Sequence, residues 1–235
     1  IPVHAFNLIS PTFFANSSTG NKYSLWVNVY GVSERYLNVY GEKDLRAQMN
    51  QFFHRTYTHP VDGTTLDMKM LCNWYWYDET AILETGKGTK DWNFYRYAET
   101  LLSAAEAIAQ SSGVNAEAAG YLAQVKARAN MEGKDASTIA SELQRLGKQA
   151  FIEECWKERL REFPLEMKIW DDCVRTGKFP QISATNKGEV QFVDLIGAKN
   201  GSGATFKATD LYWPIPVNEI QRNPNLTQNE GYSAK

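Results

Sequence analysis

Carboxylates crowd one short stretch of this chain: Glu153, Glu154, Glu158 and Glu162. Glu154 and Glu158 stand four apart, which places both on one face of a helix. Two carboxyls about 5–10 Å apart across a cleft, one of them with a raised pKa, are what glycoside hydrolysis requires. The neighbouring residues argue against that use. Lys157, Arg159 and Arg161 are threaded among the acids at spacings that favour ion pairs. The stretch reads as a charge-laced structural helix, and Arg96 with Glu99 and Glu106 with Arg128 read as further pairs fixing one helix on its neighbour.

Other reactive groups are scattered. Cys72, Cys155 and Cys173 allow at most one intramolecular disulfide, sit in no CxxC or His-rich setting, and read as three small buried side chains. His4, His54 and His59 lie far apart and read as structural or solvated. Asp171-Asp172 lacks the alternating acidic loop that calcium needs. Neither a metal nor a cofactor is expected.

The elements that must position any site follow from composition and pattern. A 235-residue chain with 43% hydrophobic and 22% charged residues has ample material for a core. A formal net charge of −2 gives no electrostatic case for nucleic acid or an anionic membrane face. No apolar run approaches the roughly 20 residues needed to span a bilayer. Ile1-Pro2-Val3-His4 carries no basic n-region, apolar h-region or lipidation cysteine, so the chain reads as a mature or truncated form.

Texture divides the chain into residues 1–91, loop-rich and aromatic; 92–180, helical; and 181–235, irregular. Asn16-Ser17-Ser18-Thr19-Gly20-Asn21 is a loop, a short helix falls near 32–40, and Gly41 precedes a helix start at Glu42-Lys43-Asp44. Phe52 to Tyr57 and Met70 to Tyr77 read as two short strands, with Trp74 and Trp76 alternating onto one strand face. From Trp92 the period changes: Phe94, Tyr97, Ala98, Leu101, Ala105 and Ile108 form one helical stripe. Ser111-Ser112-Gly113 is the next turn, and Asn115 caps a second helix carrying Ala118, Ala119, Leu122, Val125 and Ala129. The alanines let the two axes approach closely. A second hairpin follows from Ser137, with Gly147 between its helices and Pro164 at its end; one more helix stops near Gly177. Two such hairpins suggest tetratricopeptide-style stacking, although that repeat's consensus residues are largely absent. Pro214-Ile215-Pro216 opens an extended, non-helical tail held by its side chains, with a turn at Asn223-Pro224-Asn225.

Several of these segments carry a family likeness. Tyr212-Trp213-Pro214-Ile215-Pro216, Asn218-Glu219-Ile220 and Asn223-Pro224-Asn225-Leu226-Thr227-Gln228-Asn229 resemble the ending of the SusD/RagB family of outer-membrane nutrient-binding lipoproteins. Tyr95-Arg96-Tyr97-Ala98-Glu99-Thr100-Leu101-Leu102 with Ala105-Glu106-Ala107 is similar to that family's "RYAE.LL..AEA" helix, and Val125-Lys126-Ala127-Arg128-Ala129 to its "VR.RA" partner. Glu158-Arg159, Trp170-Asp171 and Arg175-Thr176-Gly177 are similar to its "ER…WD..RTG" block, and Asp44-Leu45-Arg46 to its "DPR" element with leucine in place of proline. The likeness runs from about Asp44 to Tyr232 and resembles the C-terminal half of the family.

The resemblance implies a mainly α fold: tetratricopeptide-like helical hairpins with long irregular loops and a few short strands, as one continuous domain whose irregular C-terminal region packs on the helices. It implies a non-catalytic, lipid-anchored, surface-facing outer-membrane protein that binds glycan or oligosaccharide and delivers it to a SusC-like TonB-dependent transporter. A half-length solenoid leaves an apolar face to be covered, by a separate N-terminal fragment or a second copy, unless the chain is a compact variant of the family. Sugars bind by laying C–H faces on aromatic rings, with amide or acid groups at the edge. The expected ligand-binding residues are Trp26, Tyr23 and Tyr30, in the region where the family builds its glycan platform, together with Trp74 and Trp76. The alternatives are a helical-repeat adaptor for a protein partner and, further off, a glycoside hydrolase.

Overall fold

A computed structural model describes residues 32–60, 62–85, 91 and 93–233, except the side chains of Leu66, Met68, Lys69, Met70, Trp76, Ile82 and Leu83. The described part is mainly helical with two small sheets. Its elements group into two units, residues up to 166 with 182–190, and 167–181 with 191–235.

The first unit is built on four helices, α1 (Tyr97–Ser112), α2 (Ala116–Ala127), α3 (Ala136–Leu143) and α4 (Lys148–Glu162). α1 and α2 form the expected hairpin, whereas α3 packs on α2 and α4 on α1, and not on each other as the expected second hairpin would. The seam is made of small residues, with Ala105, Ala109, Ala118, Ala119 and Ala123 fully buried beside Leu102, Leu122 and Phe151. With no side chain longer than a methyl at these places, the helix backbones approach closely. Punctuation comes from the expected residues. Gly113 closes α1 at φ +82°, a conformation that suits glycine. Asn115 accepts the Ala118 N–H at 2.9 Å, and Asp135 accepts that of Thr138 at 2.8 Å. Asn115→Ala is expected to lower stability by about 1 kcal/mol, read as a melting point a few degrees lower; an unchanged melt would show that the packed seam alone sets the start of α2.

The α1 stripe differs from the periodic reading. The helix begins at Tyr97, and its buried face is Ala98, Leu101, Leu102, Ala105 and Ala109. Phe94 lies ahead of the helix, and both it and Tyr97 are 73% exposed. At about 100° per residue, Tyr97 falls on the flank of a stripe centred one position later.

Ahead of these helices, β1 (Phe53–Thr58) and β2 (Thr65–Asn73) pair antiparallel, with an irregularity between His54 and Thr56. The second strand stops before the tryptophans. The Asn73 carboxamide accepts the Tyr75 N–H at 2.8 Å, and residues Trp74–Trp76 turn into a 3-10 helix. A local side-chain bond of this kind competes with the ladder and ends the strand. Trp74 and Trp76 therefore do not share a strand face. The segments at 34–39 and 45–47 are likewise short 3-10 turns, the latter capped by Asp44.

In the second unit α5 (Ile169–Thr176) ends at Gly177, φ +66°. β3 (Lys178–Ile182) pairs with β4 (Val190–Asp194), and Phe206 packs on Trp170 and Phe179 at 5.7 and 5.2 Å between ring centres. The proline-rich tail is held by side chains, as expected. Gln228 brackets Ile215, accepting its N–H at 2.8 Å and donating to its carbonyl at 2.9 Å. Tyr232 donates to the carbonyls of Thr209 and Tyr212 at 2.8 and 2.9 Å. A turn forms where Leu226 N–H reaches Asn223 O at 3.0 Å. The tail is not extended throughout, because a short helix, α6 (Val217–Arg222), follows Pro216.

Candidate functional site

The acids of α4 are absorbed into a buried ionic network. Arg46 places Nη1 2.8 Å from Glu158 and 2.9 Å from Glu162, while its Nε and Nη2 grip Asp44 at 2.9 and 2.7 Å. Arg161 spans Glu154 and Glu158 at 2.9 and 3.2 Å, and Lys126 pairs with Glu154. Burial works to raise the Glu158 carboxyl, but the charges of Arg46, Lys126 and Arg161 outweigh it and hold the group down at about 2. Glu154 moves the same way, with burial overcome by Lys126 and Arg161. Both shifts run opposite to what a general acid needs, so these carboxylates are structural anions. The helix-fixing pairs differ in partner from the sequence reading. Arg96 and Arg128 both converge on Glu162, Glu99 takes Arg159 at 3.2 Å, and Glu106 accepts from Gln110 at 2.9 Å. Apart from the Glu106–Gln110 pair, which lies four apart on α1, spacing cannot foresee this, because the partners are distant in the chain.

Beside this network lies a cleft of about 330 Å³ lined by Leu45, Gln51, Phe52, Tyr75, Arg96 and Arg128, with Glu162 at its floor. Its walls come from three places. The turn bearing Leu45 and Arg46 is tied to the end of α2 by Leu45 N–H to Ala129 O at 2.8 Å and Met131 N–H to Lys43 O at 2.9 Å. Phe52 and Tyr75 flank the β1–β2 ends, where Trp74 N–H donates to Phe52 O at 2.8 Å. The Asn73 carboxamide donates to Pro164 O at 3.0 Å and so anchors the 74–76 turn to the end of α4. Arg96 lies over the rings of Phe163 and Tyr75, at 4.8 and 5.8 Å from their centres, and makes a two-pronged contact with Glu166 at 2.9 and 2.7 Å. Asn93 donates to the Tyr75 hydroxyl at 2.8 Å. The result is a recess lined by half-buried rings and by planar polar groups. Such a surface suits a ligand with an apolar face and a hydroxylated edge.

A larger cavity of about 440 Å³ lies across Arg46, between Glu42, Lys126, Lys134 and Glu142. It has no aromatic wall.

The predicted ligand-binding residues fall in several places. Tyr23, Trp26 and Tyr30 lie outside the described residues, as does the side chain of Trp76. Trp74 is half-buried within a stack of rings. His54 lies parallel to it at 4.0 Å and Tyr77 at 4.4 Å, with interplanar angles of 9° and 15°. Two parallel rings this close cannot share one indole face, so they occupy opposite faces. Trp74 thereby braces the turn that presents Tyr75. His54, whose pKa is lowered by burial against the opposing pull of the Gln51 carbonyl, belongs to the same stack. Phe52, Tyr75, Arg96 and Arg128 as one cleft were not foreseen. The available signal was Asn73, a turn-capping residue directly before Trp-Tyr-Trp. The cysteines are as expected: Cys72, Cys155 and Cys173 are buried free thiols, and burial pushes Cys72 up to about 12.

Comparisons with known proteins agree with this fold. A family profile described as the SusD family matches residues 17–232. Starch-binding protein SusD of Bacteroides thetaiotaomicron is 36% identical over 138 residues, which cover 59% of this chain and 21% of that protein. The crystal structure of a SusD superfamily protein from Parabacteroides distasonis superposes with a TM-score of 0.74 at 29% identity, over 94% of this chain and 46% of that one. The chain thus spans less than half the length of either relative.

Proposed function

The chain belongs to the SusD family, and from that premise we propose that it binds an oligosaccharide without altering it, as part of nutrient capture at a bacterial outer-membrane surface. In this reading it is the surface-facing, lipid-anchored receptor component that passes ligand to a SusC-like TonB-dependent transporter. The relative named as a starch-binding protein supports the ligand class. Among the described residues, no helix is long and apolar enough to cross a membrane.

The observation that carries the reading is one recess lined by the rings of Phe52 and Tyr75 together with Gln51, Arg96 and Arg128. Ring faces take sugar C–H faces, and fixed polar groups select the hydroxyl pattern. The depressed Glu154 and Glu158 carboxyls support binding without hydrolysis. Calorimetric titration against a panel of plant, host and microbial glycans, with thin-layer analysis of the same mixtures, tests it. Binding with intact sugar is the expected outcome, and released product would replace the receptor with a hydrolase. Phe52→Ala and Tyr75→Ala are each expected to weaken binding by about 1–3 kcal/mol, the range for aromatic stacking in other open grooves. Full affinity in both variants would remove the site from this cleft. Tyr23, Trp26, Tyr30, Trp74 and Trp76 remain proposed contributors, tested by the same titration of their alanine variants.

A further inference from the structure

We propose that the sugar taken by the Leu45–Phe52–Tyr75 cleft carries a carboxylate, and that Arg128 is the residue that selects it; this rests on the glycan-binding reading and narrows its ligand to hexuronate-containing chains. The argument is one of unspent donors. Four ionised side chains line the cleft: Arg46, Arg96, Arg128 and Glu162. The single carboxylate among them is already occupied, with Oε2 accepting from Arg46 at 2.9 Å and Oε1 from Arg96 at 3.0 Å and Arg128 at 2.8 Å. Its side chain is only 5% exposed.

The three guanidinium groups are not equivalent. Arg46 is buried, with all three nitrogens engaged by Asp44, Glu158 and Glu162. Arg96 has all three engaged by Glu162 and Glu166. Arg128 gives only Nη2, to Glu162, and its side chain is 60% exposed. Among the described residues its Nε and Nη1 have no protein acceptor. A guanidinium has five N–H donors in one plane, and with one Nη2 hydrogen given to Glu162 the other still forms a two-pronged edge with either Nε or Nη1, whose best partner is a carboxylate bound through two parallel hydrogen bonds.

What this recess lacks is therefore an acceptor with negative charge, at the rim beside two ring faces. A neutral sugar offers Arg128 a hydroxyl oxygen but no charge. A hexuronate offers both, with its C–H face against Phe52 or Tyr75. The preference is local, because the whole chain carries a formal charge of −2 and does not draw anions over its surface.

The test uses the intact chain and paired ligands that differ only in charge: trigalacturonate and triglucuronate, each against its methyl ester. Calorimetry at low salt is expected to show at least one acid bound about tenfold more tightly than its ester, with the preference shrinking as salt is raised. Arg128→Gln should bring acid and ester within about twofold of each other, and Arg128→Lys, which keeps charge but not the fork, should fall between. A thermal melt shows that the variants are folded, as expected for an exposed side chain whose partner Glu162 keeps Arg46 and Arg96. Equal binding of acid and ester by the unaltered chain, binding of neutral glycans only, or a preference that survives Arg128→Gln each overturns the assignment while leaving glycan binding in place. Binding of no sugar at all overturns the glycan reading itself.

Discussion

Replacing Glu158 with glutamine is expected to lower the unfolding free energy at neutral pH by about 3–5 kcal/mol, the usual effect of removing one partner from a buried ionic cluster. Glu158 is 1% exposed and stands between Arg46 at 2.8 Å, Arg161 at 3.2 Å and Lys126 at 3.8 Å. An amide keeps the shape but leaves these cations facing one another without the charge that holds them together. The same site gives the fold an acid limit whose sign can be worked out. Burial raises the carboxyl, the three cations lower it further, and the folded group sits at about 2 against an ordinary 4.5. A folded pKa below the unfolded one means that the ionised group stabilises the protein fully above about pH 4.5, and that this contribution is lost as pH falls toward 2. At about 1.4 kcal/mol per pH unit, it amounts to about 3 kcal/mol. Urea denaturation at pH 7 and pH 3 should show the unaltered chain losing much of its advantage over Glu158→Gln at the lower pH. A gap between the two proteins that is the same at both pH values would show that Glu158 acts through packing and not through charge.

Phe163→Ala is expected to destabilise by about 3–5 kcal/mol, the range for deleting a buried phenyl ring, and to weaken glycan binding as well. Phe163 is 1% exposed, ends α4 and closes the helical core. Its ring also lies beneath Arg96 at 4.8 Å and Arg159 at 5.4 Å, which couples core packing to the wall of the cleft. Phe163→Leu separates the two effects, since it restores much of the volume but no ring face. The leucine variant should recover most of the stability while its sugar affinity stays below that of the unaltered chain. Affinity that recovers together with stability would show that Arg96 is positioned by Glu162 and Glu166 alone.

Much of the helical half is legible in the residues because its determinants are local. Asn115, Gly113, Gly147, Pro164 and Gly177 each act on backbone within a few positions, and all five mark helix ends in the structure. The alanine seam is equally legible, since Ala105, Ala118 and Ala119 recur at helical spacing and small residues permit close axes. Errors begin where locality ends. Phe94 and Tyr97 keep the helical period but lie outside the buried face. Asn73 ends a strand that β-favouring residues on their own would continue.

The sequence by itself thus determined the helices and the first hairpin, their ends, the buried thiols and the structural character of the acids on α4. The tertiary fold alone decided which cation meets which carboxylate and which rings line the cleft. Glu162 lies 116 residues from Arg46 and 66 from Arg96, and Phe52 and Tyr75 line one cleft from different ends of the β1–β2 pair. Coulombic and stacking contacts act over a few ångströms of space regardless of separation along the chain, so composition can supply the partners but only packing selects the pairs.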